Sequence, residues 1–108
     1  MSQVLDGIEG RINKIKNELM KIGEMRPGSL KRQYRGTAKN PYGQYRQLSY
    51  THQGRSRSEY VRDVFVDDVK SQVAAYQRFR KLVSIWTTLA IRHARAKMKQ
   101  EISRKKSG

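Results

Sequence analysis

The sequence predicts a mainly α-helical protein with a small β-hairpin, in the order α-β-β-α. Three observations predict this fold class. Apolar residues recur in a heptad pattern near the N-terminus, residues 44–61 contain two short strand-like segments around a turn, and no glycine or proline interrupts residues 64–104. We expect the N-terminal helix and the long C-terminal helix to pack as a helical hairpin or a coiled-coil-like dimer. The 108 residues suit a single domain, 1–108.

The first predicted helix covers residues 3–23. Its apolar side chains recur at alternating spacings of three and four, which are the a and d positions of a heptad repeat. They are Leu5, Ile8, Ile12, Ile15, Leu19 and Ile22. Gly23 is suited to end the helix, because glycine accepts the left-handed backbone that often follows the last turn. Two interpretations stay open: an amphipathic helix that packs on its own domain, or a seam for self-association.

A basic loop is expected over residues 24–43. Pro27-Gly28 is a strong turn signal, since proline presets φ at the second turn position and glycine accepts a positive φ at the third. Residues 31–40 have Tyr34 as their one large nonpolar group. We therefore expect a loop that becomes ordered when it binds a ligand.

A β-hairpin is predicted over residues 44–61. Residues 51–55 form its loop, with Gly54 in the left-handed conformation. Arg55 and Arg57 stand at alternate positions, so their side chains are expected to share one face. Because two strands alone are marginally stable in water, at least one face of the hairpin must lie on a helix.

A long helix is predicted over residues 64–104. Asp63 is the expected N-cap, and Asp67 and Asp68 lie where carboxylates favour the helix dipole. At this length the helix is about 60 Å long, about twice the length of the first, so part of its apolar face is expected to meet a second copy of the chain. The core or interface residues expected on it are Phe79, Leu82, Trp86 and Leu89.

The charge of the chain is strongly positive and unevenly distributed. There are 24 lysines and arginines against 9 acids, a net charge of +15. Residues 26–62 contain one acid, Glu59, among many cations and tyrosines, and the C-terminal end is basic again. Such a balance favours a polyanionic partner, with cations on phosphates and tyrosines stacked on bases. The expected contact residues are Arg26, Lys31, Arg32, Tyr34, Arg35, Lys39, Tyr42, Tyr45, Arg46, Arg55, Arg57, Arg62, Arg92, Arg95 and Lys99.

Other classes of function have little support. His52 and His93 have no acid or nucleophile at a recognisable spacing, so we expect no catalytic residues and a packing role for His93. The chain has no cysteine, and we expect neither a metal site nor a cofactor. No apolar run is long enough to cross a membrane and no secretory signal is evident, which favours a cytoplasmic protein without membrane contact.

Several segments occur in the order found in a known family. They are residues 24–30, 41–42, 47–50, 54–56, 60–62 and 73–80. Over roughly residues 12–96 the chain resembles a domain family of unknown function, made of small basic prokaryotic proteins often encoded beside transposases. The resemblance implies a helix–hairpin–helix plan and a mobile-element setting. Members typically carry a short cysteine cluster of zinc-knuckle type just after the position of Tyr34-Arg35, where this chain has none.

Two functions are consistent with these patterns. The first is non-catalytic binding of nucleic acid, with DNA expected before RNA, through the basic loop, the hairpin and the C-terminal end of a homodimer. The second is an accessory subunit of a larger nucleoprotein complex, a transposase or an RNA-guided nuclease, that contacts protein and nucleic acid together. Both expectations depend on the same cationic residues and differ in the protein partner.

Overall fold

The computed structural model describes residues 3–34 and 44–107. Its elements, in chain order, are helix α1 (Gln3–Met20), strands β1 (Ser29–Tyr34), β2 (Gln44–His52) and β3 (Arg55–Val61), a short 3-10 helix (Asp63–Phe65) and helix α2 (Val66–Ser107). The strands form one antiparallel sheet in the order β1-β2-β3. This arrangement confirms the predicted fold class, a mainly helical chain with a β-hairpin between two helices.

The chain divides into two compact units. One, called here the helical unit, consists of Met1–Ile22 and Phe79–Gly108. The other, the sheet unit, consists of Gly23–Arg78. Helix α2 contributes residues to both, and the interpretation of the whole chain as one domain stays a prediction.

The core of the helical unit follows the heptad pattern of α1. Ile8 and Ile15 are buried with Leu89 of α2. The partly buried residues packed against them are Ile12, Leu19, Leu82 and Trp86. Thus α1 packs on α2 of the same chain, the first of the two interpretations of its apolar stripe. Leu5, Ile22 and Phe79, also predicted for the core or interface, are half-buried.

Two polar contacts give the direction of this packing. His93 Nε2 lies 2.9 Å from Glu9 Oε1, which confirms the expected packing role of His93. About two turns further along α1, Lys16 Nζ lies 5.2 Å from the centre of the Trp86 ring, close enough for a cation–π contact. Since the partner number on α2 falls as the number on α1 rises, the two helices are antiparallel.

Helix α1 ends slightly earlier than predicted. Its last residue is Met20 rather than residue 23. The backbone N–H groups of Lys21 and Ile22 donate to the carbonyls three residues earlier, at 3.2 and 3.1 Å. These tighter bonds satisfy carbonyl groups that a helix end leaves without partners, so the α-helix stops before the predicted terminator Gly23.

The predicted hairpin is present, with a shorter turn. Strands β2 and β3 pair from Arg46–Val61 to His52–Arg55. The turn therefore contains two residues, Gln53 and Gly54, with φ of 53° and 77°. Positive φ at both positions matches the twist of antiparallel strands, and the left-handed Gly54 is as predicted.

Strand β1 is a correction to the predicted loop over residues 24–43. It pairs with β2, and Leu30 lies opposite Leu48. The residues of β1 have weak strand propensity, so the strand exists because β2 provides hydrogen-bonding partners and Leu30 gains a place beside the core. Gly28 precedes it with φ of 125°, and a Cβ there would lie 2.6 Å from the Ser49 carbonyl oxygen. Only glycine fits this turn, which confirms the turn signal of Pro27-Gly28.

The sheet unit has its own core under the first turns of α2. Leu48, Val61 and Val69 are buried together. The half-buried residues around them are Leu30, Tyr50, Val66 and Val73. The sheet thus lies on a helix, as the instability of a lone hairpin required.

The start of α2 differs in one detail from the prediction. Asp63 is not an N-cap, because the 3-10 helix that precedes α2 already includes it and Arg62 occupies the cap position. Asp67 and Asp68 do lie in the first turn of α2. The sequence pattern did not reveal the 3-10 turn, since an aspartate is equally suited to a cap and to a first turn. None of the helices in the described ranges has the length and apolar character of a membrane span.

Candidate nucleic-acid interface

The pairing register assigns every strand residue to one of two faces. Directly opposed residues of an antiparallel sheet share a face, and successive residues alternate. We call the face that contains Leu30, Leu48 and Val61 the helix-side face, since these residues pack with Val69 of α2. Its charged residues are Arg32, Arg46, Arg55, Arg57 and Glu59. The opposite face is called the outer face.

One end of the helix-side face has a group of three cations. Arg32 lies directly opposite Arg46 on the neighbouring strand. Arg46 also lines a surface groove with Lys70 and Gln77 of α2. Like charges placed opposite each other on a sheet destabilise it, and a bound anion would remove that repulsion. We call Arg46 and Lys70, which line the groove, together with Arg32 opposite Arg46, the groove cations.

The hairpin tip presents a second group. His52 pairs with Arg55 across the last rung of the ladder, and Tyr50 pairs with Arg57 two rungs before it. Arg55 and Arg57 therefore share a face, as predicted from their alternate positions. All residues from Thr51 to Tyr60 are exposed. We call Arg55 and Arg57 the tip cations.

Between these groups lies the one acidic residue of the three strand sequences, Glu59. Its carboxylate forms an ion pair with Arg26 and accepts a hydrogen bond of 2.9 Å from the Tyr50 hydroxyl. The hydrogen bond from Arg26, followed by that from Tyr50, holds the pKa of Glu59 below its ordinary value. The same contact with Glu59 raises the pKa of Tyr50. The acid is therefore neutralised within the protein rather than left facing a ligand.

This ion pair changes the role of Arg26. The sequence predicts it as a phosphate contact, whereas the structure joins its guanidinium to Glu59. Its backbone N–H also donates to the Gln72 carbonyl at 3.0 Å, so the segment before β1 is attached to α2. Arg26 thus stabilises the sheet unit. The groove and tip cations remain the main candidates for contact with a ligand.

The outer face is chemically different. Ser49 pairs with Ser58, and their hydroxyl oxygens lie 3.4 Å apart. Thr51 and Ser56 pair in the same way at 3.2 Å. Lys31 is the one cation among the described side chains of this face. Among the described strand residues, all cations except Lys31 therefore lie on the helix-side face.

A family model provides the comparison with known proteins. The model for a domain of unknown function, DUF6788, matches residues 5–71. The chain belongs to the DUF6788 family. No curated protein and no solved structure matches it.

The part of the chain that matches DUF6788 includes α1 from Leu5 onward, the whole sheet and the start of α2 up to residue 71. It therefore contains the tip cations and all three groove cations. The C-terminal cations Arg92, Arg95 and Lys99 lie beyond it. They line a surface groove of the helical unit beside Val4 and Ile8.

Several predicted contact residues lie outside the described residues or apart from the two cationic groups. Arg35, Lys39 and Tyr42 lie outside the described residues, as do the side chains of Tyr34 and Tyr45. Arg62 is exposed between β3 and the 3-10 helix. Lys70 is the cation that sequence reasoning missed, because its place beside Arg46 depends on how α2 packs on the sheet. In the described part of this DUF6788 protein, no three His, Cys, Asp or Glu side chains are arranged to hold a metal ion.

Proposed function

We infer that this protein is a non-catalytic nucleic-acid-binding protein, with DNA as the expected ligand, that neutralises phosphates with the helix-side face of its sheet. The observation that carries the proposal is the placement of Arg32 directly opposite Arg46, beside Lys70. Among the described residues, neither arginine forms an ion pair. Since two opposed guanidinium groups repel each other, a phosphate is the group that best compensates them.

The two cationic groups are spaced for an extended polyanion. Arg46, one of the groove cations, and His52, which lies opposite the tip cation Arg55, are six residues apart on β2. At the rise of a strand, the two groups are therefore about 20 Å apart. Each strand of duplex DNA carries one phosphate per about 3.4 Å of axis, so 20 Å corresponds to about six base pairs. A polyphosphate is thus a better match than a single small anion.

The acid between the two cationic groups does not oppose this ligand. Arg26 neutralises Glu59, so the acid between the two groups adds no strong repulsion toward phosphate. Contacts between cationic side chains and phosphates give affinity and orientation without reading the base sequence. The predicted mobile-element setting and cytoplasmic location belong to the same proposal, since both place the protein where it meets nucleic acid.

The test compares cations of the helix-side face with cations of the helical unit. Arg32→Ala with Arg46→Ala, and separately Arg55→Ala with Arg57→Ala, should each weaken binding to a short DNA duplex and lower the salt slope of log K by about 1.8, at about 0.9 per phosphate contact. The control, Lys14→Ala with Lys81→Ala, removes the same charge from the helical unit. Binding is measured by fluorescence anisotropy at several salt concentrations. A fall in slope for the control equal to that of the two sheet variants would contradict the assignment to the helix-side face.

One observation favours the second candidate function, an accessory subunit of a larger nucleoprotein complex. Val64 and Phe65 are exposed two and three residues after the cation Arg62, with Asp63 between them. Exposed apolar side chains this close to a cation suit a surface that contacts protein and nucleic acid together. Tight binding to a large nuclease or transposase, with weak binding to bare DNA and RNA, would favour this candidate over the first.

A further inference from the structure

Helix α2 carries a second apolar stripe in the helical unit, apart from the residues packed against α1. Val83, Ile91 and Met98 on this stripe are 36%, 49% and 60% exposed. Smaller side chains lie between them, and the part of the stripe up to Ala94 lines a shallow depression without charged groups. Its lining residues are Val83, Trp86, Thr87, Ala90, Ile91 and Ala94. Small side chains between larger ones form the kind of hole into which another helix inserts a side chain.

The spacing of the stripe residues is the same when it is counted from either end. Its residues are Val83, Thr87, Ala90, Ile91, Ala94 and Met98, with spacings of 4, 3, 1, 3 and 4. The midpoint lies between Ala90 and Ile91. A twofold interface requires this property, because residue i of one copy must meet residue j of the other while j meets i. An antiparallel partner centred at the midpoint would place Ile91 opposite Ala90 and Met98 opposite Val83.

The charges that flank the stripe select the same arrangement. Arg80 lies three residues before Val83, and Glu101 lies three residues after Met98. Glu101 is the one acid in residues 69–108. In the described ranges neither Arg80 nor Glu101 takes part in an ion pair. A parallel pair of helices would put like charges together, whereas the antiparallel pair puts Arg80 opposite Glu101 twice.

We propose that a second copy of this chain docks antiparallel on the stripe, forming a twofold dimer centred between Ala90 and Ile91 of α2. The dimer goes beyond the proposed function, because it needs no nucleic acid. Apolar contact along about 24 Å of helix holds the copies together, and the two Arg80–Glu101 pairs set their direction. The opposed charges also offset part of the repulsion between two strongly cationic chains.

A charge exchange tests this register. Arg80→Glu places two acids together and Glu101→Arg places two bases together, so each variant should lower the association constant about fivefold or more. The double variant restores both pairs in reverse and should return the constant to near the wild-type value. The association constant is measured by sedimentation equilibrium on nuclease-treated full-length protein, with circular dichroism to verify the helix content of each variant.

Lys81→Glu is the matched control. It changes the net charge as Arg80→Glu does, but it lies about 100° further around the helix, away from the stripe. Because it reduces the general repulsion between copies, it should leave the association constant unchanged or raise it. A wild-type protein that is monomeric at all concentrations, or a double variant that fails to recover, would overturn the proposal.

Engineered cysteines give a second, independent measurement. The chain contains no cysteine, so any disulfide reports the introduced positions alone. Val83→Cys with Met98→Cys should form covalent dimers under mild oxidation, because these positions oppose each other in the proposed pairing. Thr88→Cys with Met98→Cys, where Thr88 lies away from the stripe, should form far fewer. Equal cross-linking of the two variants would contradict the register.

Discussion

The helical unit and the sheet unit bury their apolar residues by different means. In the helical unit, the regularly spaced apolar side chains of α1 pack against those of α2, and Ile8, Ile15 and Leu89 form the core. In the sheet unit, Leu48 and Val61 come from two strands and Val69 from a helix. A local periodicity describes the first core almost completely. The second requires pairing between segments that no periodicity connects.

The units also differ in what their charged residues do. In the sheet unit, Arg26 and Glu59 pair with each other while cations gather at both ends of one face. In the helical unit, the contacts of Glu9 with His93 and of Lys16 with Trp86 lie along the helix–helix packing. Charged side chains in the helical unit therefore contribute to helix packing, whereas those in the sheet unit are concentrated at the two ends of one face, where we propose that phosphate binds.

The largest expected effect comes from deleting a core side chain in each unit. Leu48 is 0% exposed and Leu89 is 2% exposed, so replacement of either by alanine should cost about 2–5 kcal/mol. Hydrogen exchange measured by mass spectrometry locates the loss. Leu48→Ala should reduce amide protection in β1–β3, and Leu89→Ala should reduce it in α1. An equal loss in both units for each variant would show that they unfold together, and the distinction between two units would fail.

A smaller effect is expected from glycine substitutions that differ in backbone conformation. Gly28→Ala adds a Cβ at a φ of 125° and 2.6 Å from the Ser49 carbonyl oxygen, so the sheet unit should lose about 1–3 kcal/mol. Gly10→Ala is the matched substitution in the helical unit. Gly10 lies within α1 with open space around its Cα, and alanine should stabilise the helix by about 0.5–1 kcal/mol. Urea unfolding measures both, and a destabilised Gly10→Ala variant would contradict the expected difference.

The smallest effect concerns the ion pair in the sheet unit. Arg26 and Tyr50 lower the pKa of Glu59 in the folded state, so the carboxylate contributes stability above the ordinary pKa of a glutamate. That contribution is lost as pH falls through the lowered pKa. Since Glu59 is partly exposed, Glu59→Gln should cost about 0.2–1 kcal/mol at pH 7. Urea unfolding at pH 7 and at pH 3 checks the sign: a cost that grows on acidification would refute it.

Some elements could be predicted from residue types and spacing. The stripe from Ile8 to Leu19 indicated α1, and Gly54 indicated the hairpin turn. Both signals are local, since a helix and a tight turn are determined by neighbours within a few residues. Strand β1 was missed for the same reason. Its residues Lys31 and Arg32 have no strand signature, and their conformation follows from pairing with β2.

The candidate site was predicted in part. The alternation of Arg55 and Arg57 indicated their shared face, because strand geometry has a period of two. The pairing of Arg26 with Glu59 and the position of Lys70 beside Arg46 were not foreseen. Both join residues far apart in the chain, and residue type alone does not tell a cation that binds an acid of its own protein from one that awaits a ligand.

Composition and local pattern alone were sufficient for two things here: the alternation of helix and hairpin, and the presence of a strongly cationic surface. Folding in three dimensions determined which face of the sheet carries the arginines, which of them is neutralised, and which apolar stripe of α2 is left uncovered. The physical reason is the distance along the chain over which each kind of interaction acts. Backbone propensity and periodicity act over a few residues, whereas charge neutralisation and burial depend on whichever distant segment packs alongside.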